Sequence, residues 1–134
     1  MKILLISHGD LAAGMCSTLQ NFFGADNVYS ACVTQENGTA DLMDKAREYL
    51  DQWQGEQVVI CSDLKGGSAN QAALALLERP DTFLISGMNL SLVLQLQMED
   101  HVDADTIHDL MANAKEDMVL VNELLQAQSD DDDE

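Results

Sequence analysis

The hydrophobic residues of the chain follow two alternating patterns, short apolar runs and longer stretches with helical spacing. Four runs are short, aliphatic or β-branched and bounded by turn residues, which is typical of strands buried on both faces of a parallel sheet. They cover residues 2–6, 27–33, 57–61 and 82–86. Between and after them, apolar side chains recur every three or four positions and predict helices. The predicted helices cover residues 11–23, 39 or 40 to 53, 68–78, 90–98 and 105–114.

The order of these elements predicts an α/β fold. Strands and helices alternate along the chain, which favours a parallel sheet with right-handed crossovers and helices on both faces. We expect a doubly wound, mainly parallel sheet with the strand order 2-1-3-4. The chain has 134 residues, enough for one domain with one good core. We assign this domain to residues 1–125 and an acidic, disordered tail to residues 126–134, where like charges repel one another.

Residues 118–125 allow two interpretations. Their sequence, MVLVNELL, keeps the helical spacing of the stretch before it, yet its first four residues form a β-rich run. We interpret the segment as a strand that adds an antiparallel C-terminal edge to the sheet. A continuation of the preceding helix is the alternative.

The chain is strongly acidic. It contains 24 acidic and 6 basic residues and has a net charge of −18. A surface of this charge repels nucleic-acid backbones and anionic membrane surfaces. We therefore expect a protein partner and no nucleic acid.

The cysteines and the N-terminus indicate a cytoplasmic protein. Cys16, Cys32 and Cys61 are widely spaced, lie in apolar stretches and form no Cys-x-x-Cys motif, so we expect reduced core thiols. The apolar run after Lys2 has four residues, which is too short for a signal peptide or a membrane span. We expect no membrane insertion and a location in the cytoplasm.

Two loops follow the first and third predicted strands and carry residues suited to chemistry. The first loop is Ser7-His8-Gly9, and the second, with the sequence DLKGGS, runs from Asp63 to Ser68. The carboxyl ends of neighbouring parallel strands meet at one edge, where such sheets bind ligands. An imidazole is a nucleophile through one nitrogen when a carboxylate holds the proton on the other. We therefore expect Asp63 to orient His8.

The second loop is suited to a phosphoryl group. Gly66 and Gly67 allow a tight turn that exposes backbone N–H groups, and Ser68 offers a hydroxyl and caps the next predicted helix. The other two histidines, His101 and His108, do not have a metal-ligand spacing. We expect no metal and no cofactor, and a site that holds a phosphoryl group on a histidine.

These motifs resemble a known family. A strand ending in Ser-His-Gly, and a third strand followed by Asp-x-x-Gly-Gly-Ser and an alanine-rich helix, are similar to one component of the bacterial phosphoenolpyruvate-dependent sugar phosphotransferase system (PTS). This is the IIA component of the mannose-type (mannose/fructose/sorbose) family. The resemblance covers residues 1–125 and includes the turn at residues 85–89. The chain departs from the usual family pattern at Asp10, Lys65, Ala69 and Gln71.

The resemblance implies a cytoplasmic phosphotransferase that acts as a phosphohistidine carrier in sugar transport. His8 would accept a phosphoryl group from the phosphocarrier HPr through Nε2, with Asp63 hydrogen-bonded to Nδ1, and pass it to a sugar-specific IIB component. The phosphate would be surrounded by Gly9, Gly66, Gly67 and Ser68. The resemblance also implies a homodimer that exchanges a C-terminal edge strand, for which residues 118–125 are the candidate.

Two other functions remain open at this point. A IIA-like subunit of a dihydroxyacetone kinase would also carry phosphate on His8 but deliver it to a kinase-bound nucleotide. A receiver-like signalling domain would be phosphorylated on Asp63. Such a domain requires an acidic pair after the first strand to bind magnesium, and this chain has Ser7 and His8 there.

Overall fold

A computed structural model describes residues 1–132 of the chain. Its centre, within these residues, is a sheet of four parallel strands. The strands are β1 (Lys2–His8), β2 (Val28–Val33), β3 (Val58–Ser62) and β4 (Thr82–Ser86). They lie in the order β2-β1-β3-β4, which confirms the doubly wound α/β fold and the predicted strand order.

Six α-helices accompany the sheet in the described part of the chain. They are α1 (Leu11–Phe23), α2 (Ala40–Gln52), α3 (Ser68–Ala73), α4 (Leu90–Leu96), α5 (Ala104–Glu116) and α6 (Val121–Asp132). The helix predicted for residues 68–78 divides into α3 and a 3₁₀ helix at Leu74–Glu78. A tighter last turn is a common way to end a helix, and here it leads the chain to Pro80 and the start of β4.

The helices cover both faces of the sheet because side chains alternate along each strand. On β1, Ile3 and Leu5 belong to one core, while Leu4 and Ile6 belong to the other, and all four side chains are fully buried. The first core is closed by α1, α4 and α5, and the second by α2 and α3. β1 is therefore a rigid central strand, and the residue at its carboxyl end has a fixed position.

The C-terminal apolar segment, residues 118–125, differs from the prediction. Residues 118–120 are irregular and α6 begins at Val121, so the single chain does not show the predicted edge strand. A strand satisfies its backbone only by pairing with a free edge, whereas a helix satisfies its own. The second half of the segment, NELL, consists largely of good helix formers. The exposed apolar side chains of the segment are Met118, Val119, Leu120, Val121, Leu124 and Leu125.

The acidic end of the chain also differs from its prediction as a disordered tail. Residues 126–132 form the second half of α6, and residues 133–134 lie outside the described residues. The side chains of residues 121–130 are exposed. None of the helices within residues 1–132 has the length and hydrophobicity needed to span a membrane.

Candidate functional site

The two predicted loops meet at the carboxyl edge of the sheet. In the register of the strands, Val33 lies beside His8 on β1, and Ser62 on β3 lies beside Ile6. The connection after β1 leads to one side of the sheet, and the connection after β3 leads to the other. Such a reversal opens a crevice between the two strand ends. His8 ends β1 and Asp63 follows β3, so both residues lie at this crevice.

Asp63 holds His8 at two points. Nδ1 of His8 lies 2.7 Å from Oδ2 of Asp63, and the backbone N–H of His8 donates to the same oxygen at 2.9 Å. The other oxygen, Oδ1, accepts the backbone N–H of Leu64 at 2.9 Å. The Asp63 side chain is 7% exposed, whereas the His8 side chain is 47% exposed. The carboxylate is thus buried and fixed, while the imidazole is open to solvent on its other side.

These hydrogen bonds determine which nitrogen of His8 carries the proton. Burial raises the pKa of Asp63, but hydrogen bonds from His8 and Leu64 outweigh it, so the pKa of Asp63 lies below its usual value. An ionised carboxylate only accepts hydrogen bonds, so Nδ1 must donate. In the neutral imidazole, Nε2 therefore carries the lone pair. This lone pair makes Nε2 the ring nitrogen that is able to act as a nucleophile.

Ser68 contacts the same nitrogen, Nε2. Its Oγ lies 2.8 Å from Nε2 of His8, and the hydroxyl is the donor because Nε2 carries the lone pair. The sequence predicts Ser68 as a helix cap, and this assignment is wrong. Gly67 stands at the cap position and Ser68 is the first residue of α3, so its hydroxyl is available to the imidazole.

The loop glycines bring the start of α3 close to His8. Gly66 has a φ of +76°, a left-handed conformation that disfavours other residues. A Cβ on Gly67 would lie 3.3 Å from Cε1 of His8 and 3.3 Å from the carbonyl oxygen of Leu64. A larger residue at Gly67 would therefore press against the imidazole and the loop backbone.

Two of the expected backbone donors are already used within the chain. The N–H of Gly9 donates to the carbonyl of Val33 at 3.1 Å, and the N–H of Gly67 donates to the carbonyl of Leu64 at 3.1 Å. These glycines therefore shape the loops. The first N–H groups of a helix have no acceptor within the helix, so those of the first turn of α3, which begins at Ser68, remain available as donors.

The sequence reasoning missed a polar cluster that lies behind the site. Oδ1 of Asn70 accepts hydrogen bonds from Ser62 at 2.7 Å and from Ser86 at 2.6 Å. Asn70 is 8% exposed and Ser62 is fully buried. The available signal was a polar residue that follows Ser68 by two positions in an otherwise alanine-rich helix.

Ser7 is a second residue to which the sequence reasoning gave no role. It is fully buried, and its Oγ accepts the backbone N–H of Ala12 at 2.8 Å. This hydrogen bond joins the end of β1 to the start of α1. It fixes the loop that carries His8 at a second point, in addition to the hydrogen bonds between His8 and Asp63.

The remaining histidines and the cysteines lie elsewhere. His101 pairs with Asp81 just before β4, at the amino edge of the sheet, and His108 is exposed on α5. Within residues 1–132, no group of three or more His, Cys, Asp or Glu side chains is arranged to hold a metal ion. Cys16 and Cys61 are buried. Burial raises the pKa of Cys61 to about 12, so its thiol stays protonated.

Known proteins are similar to this chain in both sequence and fold. Residues 2–115 match the EIIA-man family, described as the PTS system fructose IIA component. The PTS sorbose-specific EIIA component of Klebsiella pneumoniae is 30% identical over 99 residues, which are 73% of either chain. A similarity over 99 residues is much longer than the two site loops, so it does not depend on the site motifs alone.

Solved structures of similar architecture agree with this relation. The PTS IIA protein associated with the fucose utilization operon of Streptococcus pneumoniae has a TM-score of 0.78 at 24% identity, covering 92% of this chain and 95% of that one. The mannose/sorbose-specific IIA subunit of Enterococcus faecalis has a TM-score of 0.77 at 23% identity, covering 89% and 92%. The chain belongs to the EIIA-man family and is a IIA component of the PTS of the mannose/sorbose type.

Proposed function

We propose that this protein carries a phosphoryl group on His8, received from HPr and delivered to a sugar-specific IIB component in the cytoplasm during sugar uptake. The observation that carries the proposal is the state of one imidazole. Nδ1 of His8 lies 2.7 Å from the carboxylate of Asp63, which leaves the lone pair on Nε2, and the His8 side chain is 47% exposed. Membership of the EIIA-man family supplies the PTS setting.

Transfer exchanges one P–N bond for another. The lone pair of His8 Nε2 forms a bond to phosphorus while the P–N bond to the histidine of HPr breaks, and that electron pair returns to the HPr imidazole. Because Nδ1 of His8 keeps its proton, the His8 ring gains positive charge. The ionised carboxylate of Asp63 stabilises that charge. The same exchange in the other direction moves the phosphoryl group to the nucleophile of the IIB component.

Ser68 changes its acceptor during this exchange. Its hydroxyl donates to Nε2 in the free protein, on the side of the ring where phosphorus must bond. When the phosphoryl group arrives, the hydroxyl loses that acceptor and donates to a phosphoryl oxygen instead. The N–H groups at the start of α3 add further donors. Ser68 thus stabilises both the free and the phosphorylated imidazole.

The two alternative functions have less support. Both oxygens of Asp63 accept hydrogen bonds and its side chain is 7% exposed, which disfavours it as the phosphate acceptor of a receiver domain. The similarity to a sorbose-specific EIIA component favours a role in sugar transport over a role in a dihydroxyacetone kinase.

The stability of the phosphorylated protein tests the proposal. Incubation of the full chain with phosphoenolpyruvate, enzyme I and HPr is expected to give one phosphoryl group per chain. The label should be lost in acid and kept in base, because protonation of the imidazole weakens a P–N bond. A label that is lost in base would indicate an acyl phosphate on Asp63 and contradict the proposal. An unlabelled chain in the presence of active HPr would contradict it as well.

We also propose that the protein is a homodimer in which residues 118–125 are exchanged between chains. The apolar side chains of this segment are exposed in the isolated chain, and β4 has an unpaired edge within the sheet described. A groove of about 720 Å³ lies between the end of β4, α4 and α5, and Met118 contributes to its wall. Pairing of the segment with β4 of a second chain would cover both the apolar side chains and the edge of β4. Exchange of an element between chains is a low-cost route to a dimer.

Two truncations test the dimer. Removal of all residues after Asp117 is expected to give a monomer or an aggregate, because it deletes the segment. Removal of the residues after Gln128 deletes only the acidic end and should leave the dimer intact. Light scattering at several protein concentrations and ionic strengths measures the outcome. A full-length chain that stays monomeric at high micromolar concentration would contradict the exchange.

A further inference from the structure

A buried polar cluster connects two strand ends to the helix that carries Ser68. Ser62 ends β3 and Ser86 ends β4, and both hydroxyls donate to Oδ1 of Asn70, at 2.7 Å and 2.6 Å. The two hydroxyls themselves lie 3.3 Å apart. One amide oxygen on α3 therefore joins the helix to two strands at once.

The location of the cluster relates it to His8. Asn70 follows Ser68 by two residues, and Ser62 directly precedes Asp63. The cluster thus lies behind both residues that contact the imidazole, the carboxylate at Nδ1 and the hydroxyl at Nε2. Buried polar groups need partners, and an apolar trio would fill this space without that requirement. A role beyond filling the core accounts for polar residues at this point.

We propose that Asn70 is a positioning residue for phosphoryl transfer, an inference that rests on the proposed function. α3 has only six residues before it tightens into a 3₁₀ helix, and Gly67 has no side chain with which to cap it. So short a helix has little stability of its own. The hydrogen bonds of Asn70 fix its first turn against β3 and β4, and this places the Ser68 hydroxyl 2.8 Å from Nε2.

Ser62, which directly precedes Asp63, does not depend on Asn70 alone for its position. Its hydroxyl donates to Asn70, and its backbone carbonyl accepts the N–H of Met88 at 2.9 Å. The residue before Asp63 is therefore fixed both to α3 and to the connection that leads to α4. Loss of the Asn70 side chain therefore releases the Ser68 side of the imidazole, while the bond from Met88 and the pairing of β3 with β1 still hold the Asp63 side.

A double-mutant cycle in the full chain tests whether Asn70 acts through Ser68. The variants Asn70→Ala, Ser68→Ala and their combination are compared for transfer from phosphorylated HPr, with kcat and KM determined separately. Asn70→Ala is expected to lower kcat by roughly two- to tenfold, the range for one lost neutral hydrogen bond, with KM unchanged. In the Ser68→Ala background it should have no further effect. Additive losses would overturn the inference.

The imidazole ¹⁵N signals of His8 give a second measurement that requires no partner protein. Ser68→Ala should shift the Nε2 signal, and Asn70→Ala should shift it in the same direction, while the Nδ1 signal stays near its wild-type position. An Nε2 signal unchanged in Asn70→Ala would overturn the inference whatever the transfer assay shows. Absence of phosphorylation in the wild-type chain, by contrast, would contradict only the proposed function.

Two further variants separate positioning from general loss of stability. Ala46→Gly removes a fully buried methyl group from α2 and weakens the fold away from the site. It should leave kcat and the Nε2 signal unchanged. Ser86→Ala removes one donor to Asn70 and keeps the bond from Ser62. If Asn70→Ala fails to fold, Ser86→Ala decides the matter: a shifted Nε2 signal supports the inference, and an unshifted one overturns it.

Discussion

Two histidine–aspartate pairs within residues 1–132 lie at opposite edges of one sheet, and they differ in geometry and in burial. At the carboxyl edge, His8 Nδ1 lies 2.7 Å from Asp63 Oδ2, and the aspartate side chain is 7% exposed. At the amino edge, His101 Nε2 lies 3.3 Å from Asp81 Oδ2, and the two side chains are 66% and 48% exposed. Solvent weakens the second pair far more than the first.

The other partners of each carboxylate explain the difference. Asp63 accepts both the ring and the backbone N–H of His8 on one oxygen, so it fixes the orientation of the imidazole. Asp81 is instead anchored by Gln57, whose Nε2 donates to it at 2.8 Å. That hydrogen bond, followed by the contact with His101, holds the pKa of Asp81 below its usual value. The comparison shows that the two carboxylates have different main partners. Asp63 fixes the orientation of a histidine, whereas the shortest hydrogen bond of Asp81 comes from Gln57.

Replacement of the two histidines is expected to give the largest contrast. His8→Ala removes the nitrogen that accepts the phosphoryl group and should abolish labelling by phosphorylated HPr. His101→Ala is the matched control and should be labelled like the wild-type chain. The measurement is the incorporation of radiolabelled phosphate at equal protein concentration. Label retained by His8→Ala, or lost from a folded His101→Ala variant, would reverse the assignment of the two pairs.

Replacement of the two aspartates by asparagine is expected to give the next largest contrast. Asp63 accepts three N–H groups, and no orientation of an amide can accept all of them because one end of the amide is itself a donor. Asp63→Asn therefore loses the charge and the fixed Nδ1 proton. Phosphoryl transfer should slow by roughly 10²- to 10⁴-fold, with little change in folding.

Asp81→Asn provides the control for this variant. Asp81 has a φ of +52°, which asparagine tolerates better than most residues, and the amide oxygen can still accept from Gln57. The rate of transfer from HPr should stay at the wild-type value. A wild-type rate in Asp63→Asn would show that the carboxylate has only a structural role.

The dependence of stability on pH is expected to show the smallest effect. The folded pKa of Asp63 lies below its unfolded value. Its contribution to stability is therefore present above about pH 4, the unfolded value, and is lost as the pH falls through the lower, folded pKa. Urea unfolding of the wild-type chain and Asp63→Asn at several acidic pH values measures this. The difference in unfolding free energy should shrink as the pH falls, and a constant difference would contradict the prediction.

The fold was predictable because its signals are local and repeated. The aliphatic runs of β1 and β3 and the spacing in α1 and α2 each indicate one element, and alternation along the chain then limits the topology. The contact between His8 and Asp63 followed from that topology, since both residues lie at the ends of adjacent strands. Once the strand order was known, the motifs in the two loops were enough to predict this contact.

The parts that could not be predicted depend on contacts or on competing local preferences. In the C-terminal apolar segment, MVLV favours a strand and NELL favours a helix, and pattern alone did not predict that the single chain forms a helix from Val121. The hydrogen bonds of Ser62 and Ser86 to Asn70 join three separate stretches of chain. No spacing in the sequence predicts them. The hydrogen bond from the Gly67 N–H to the carbonyl of Leu64 likewise depends on the conformation of the loop.

The exposure of the His8 side chain on one side only has a consequence for the kinetics of the proposed transfer. His8 reaches solvent through one side of its ring, since Asp63 covers the other. In the proposed function, His8 offers the same small surface to the protein that donates the phosphoryl group and to the protein that accepts it. Donor and acceptor must therefore take turns, the donor binding the free chain and the acceptor binding the phosphorylated chain. Steady-state rates measured at several fixed donor concentrations should give parallel double-reciprocal lines, as in a ping-pong scheme.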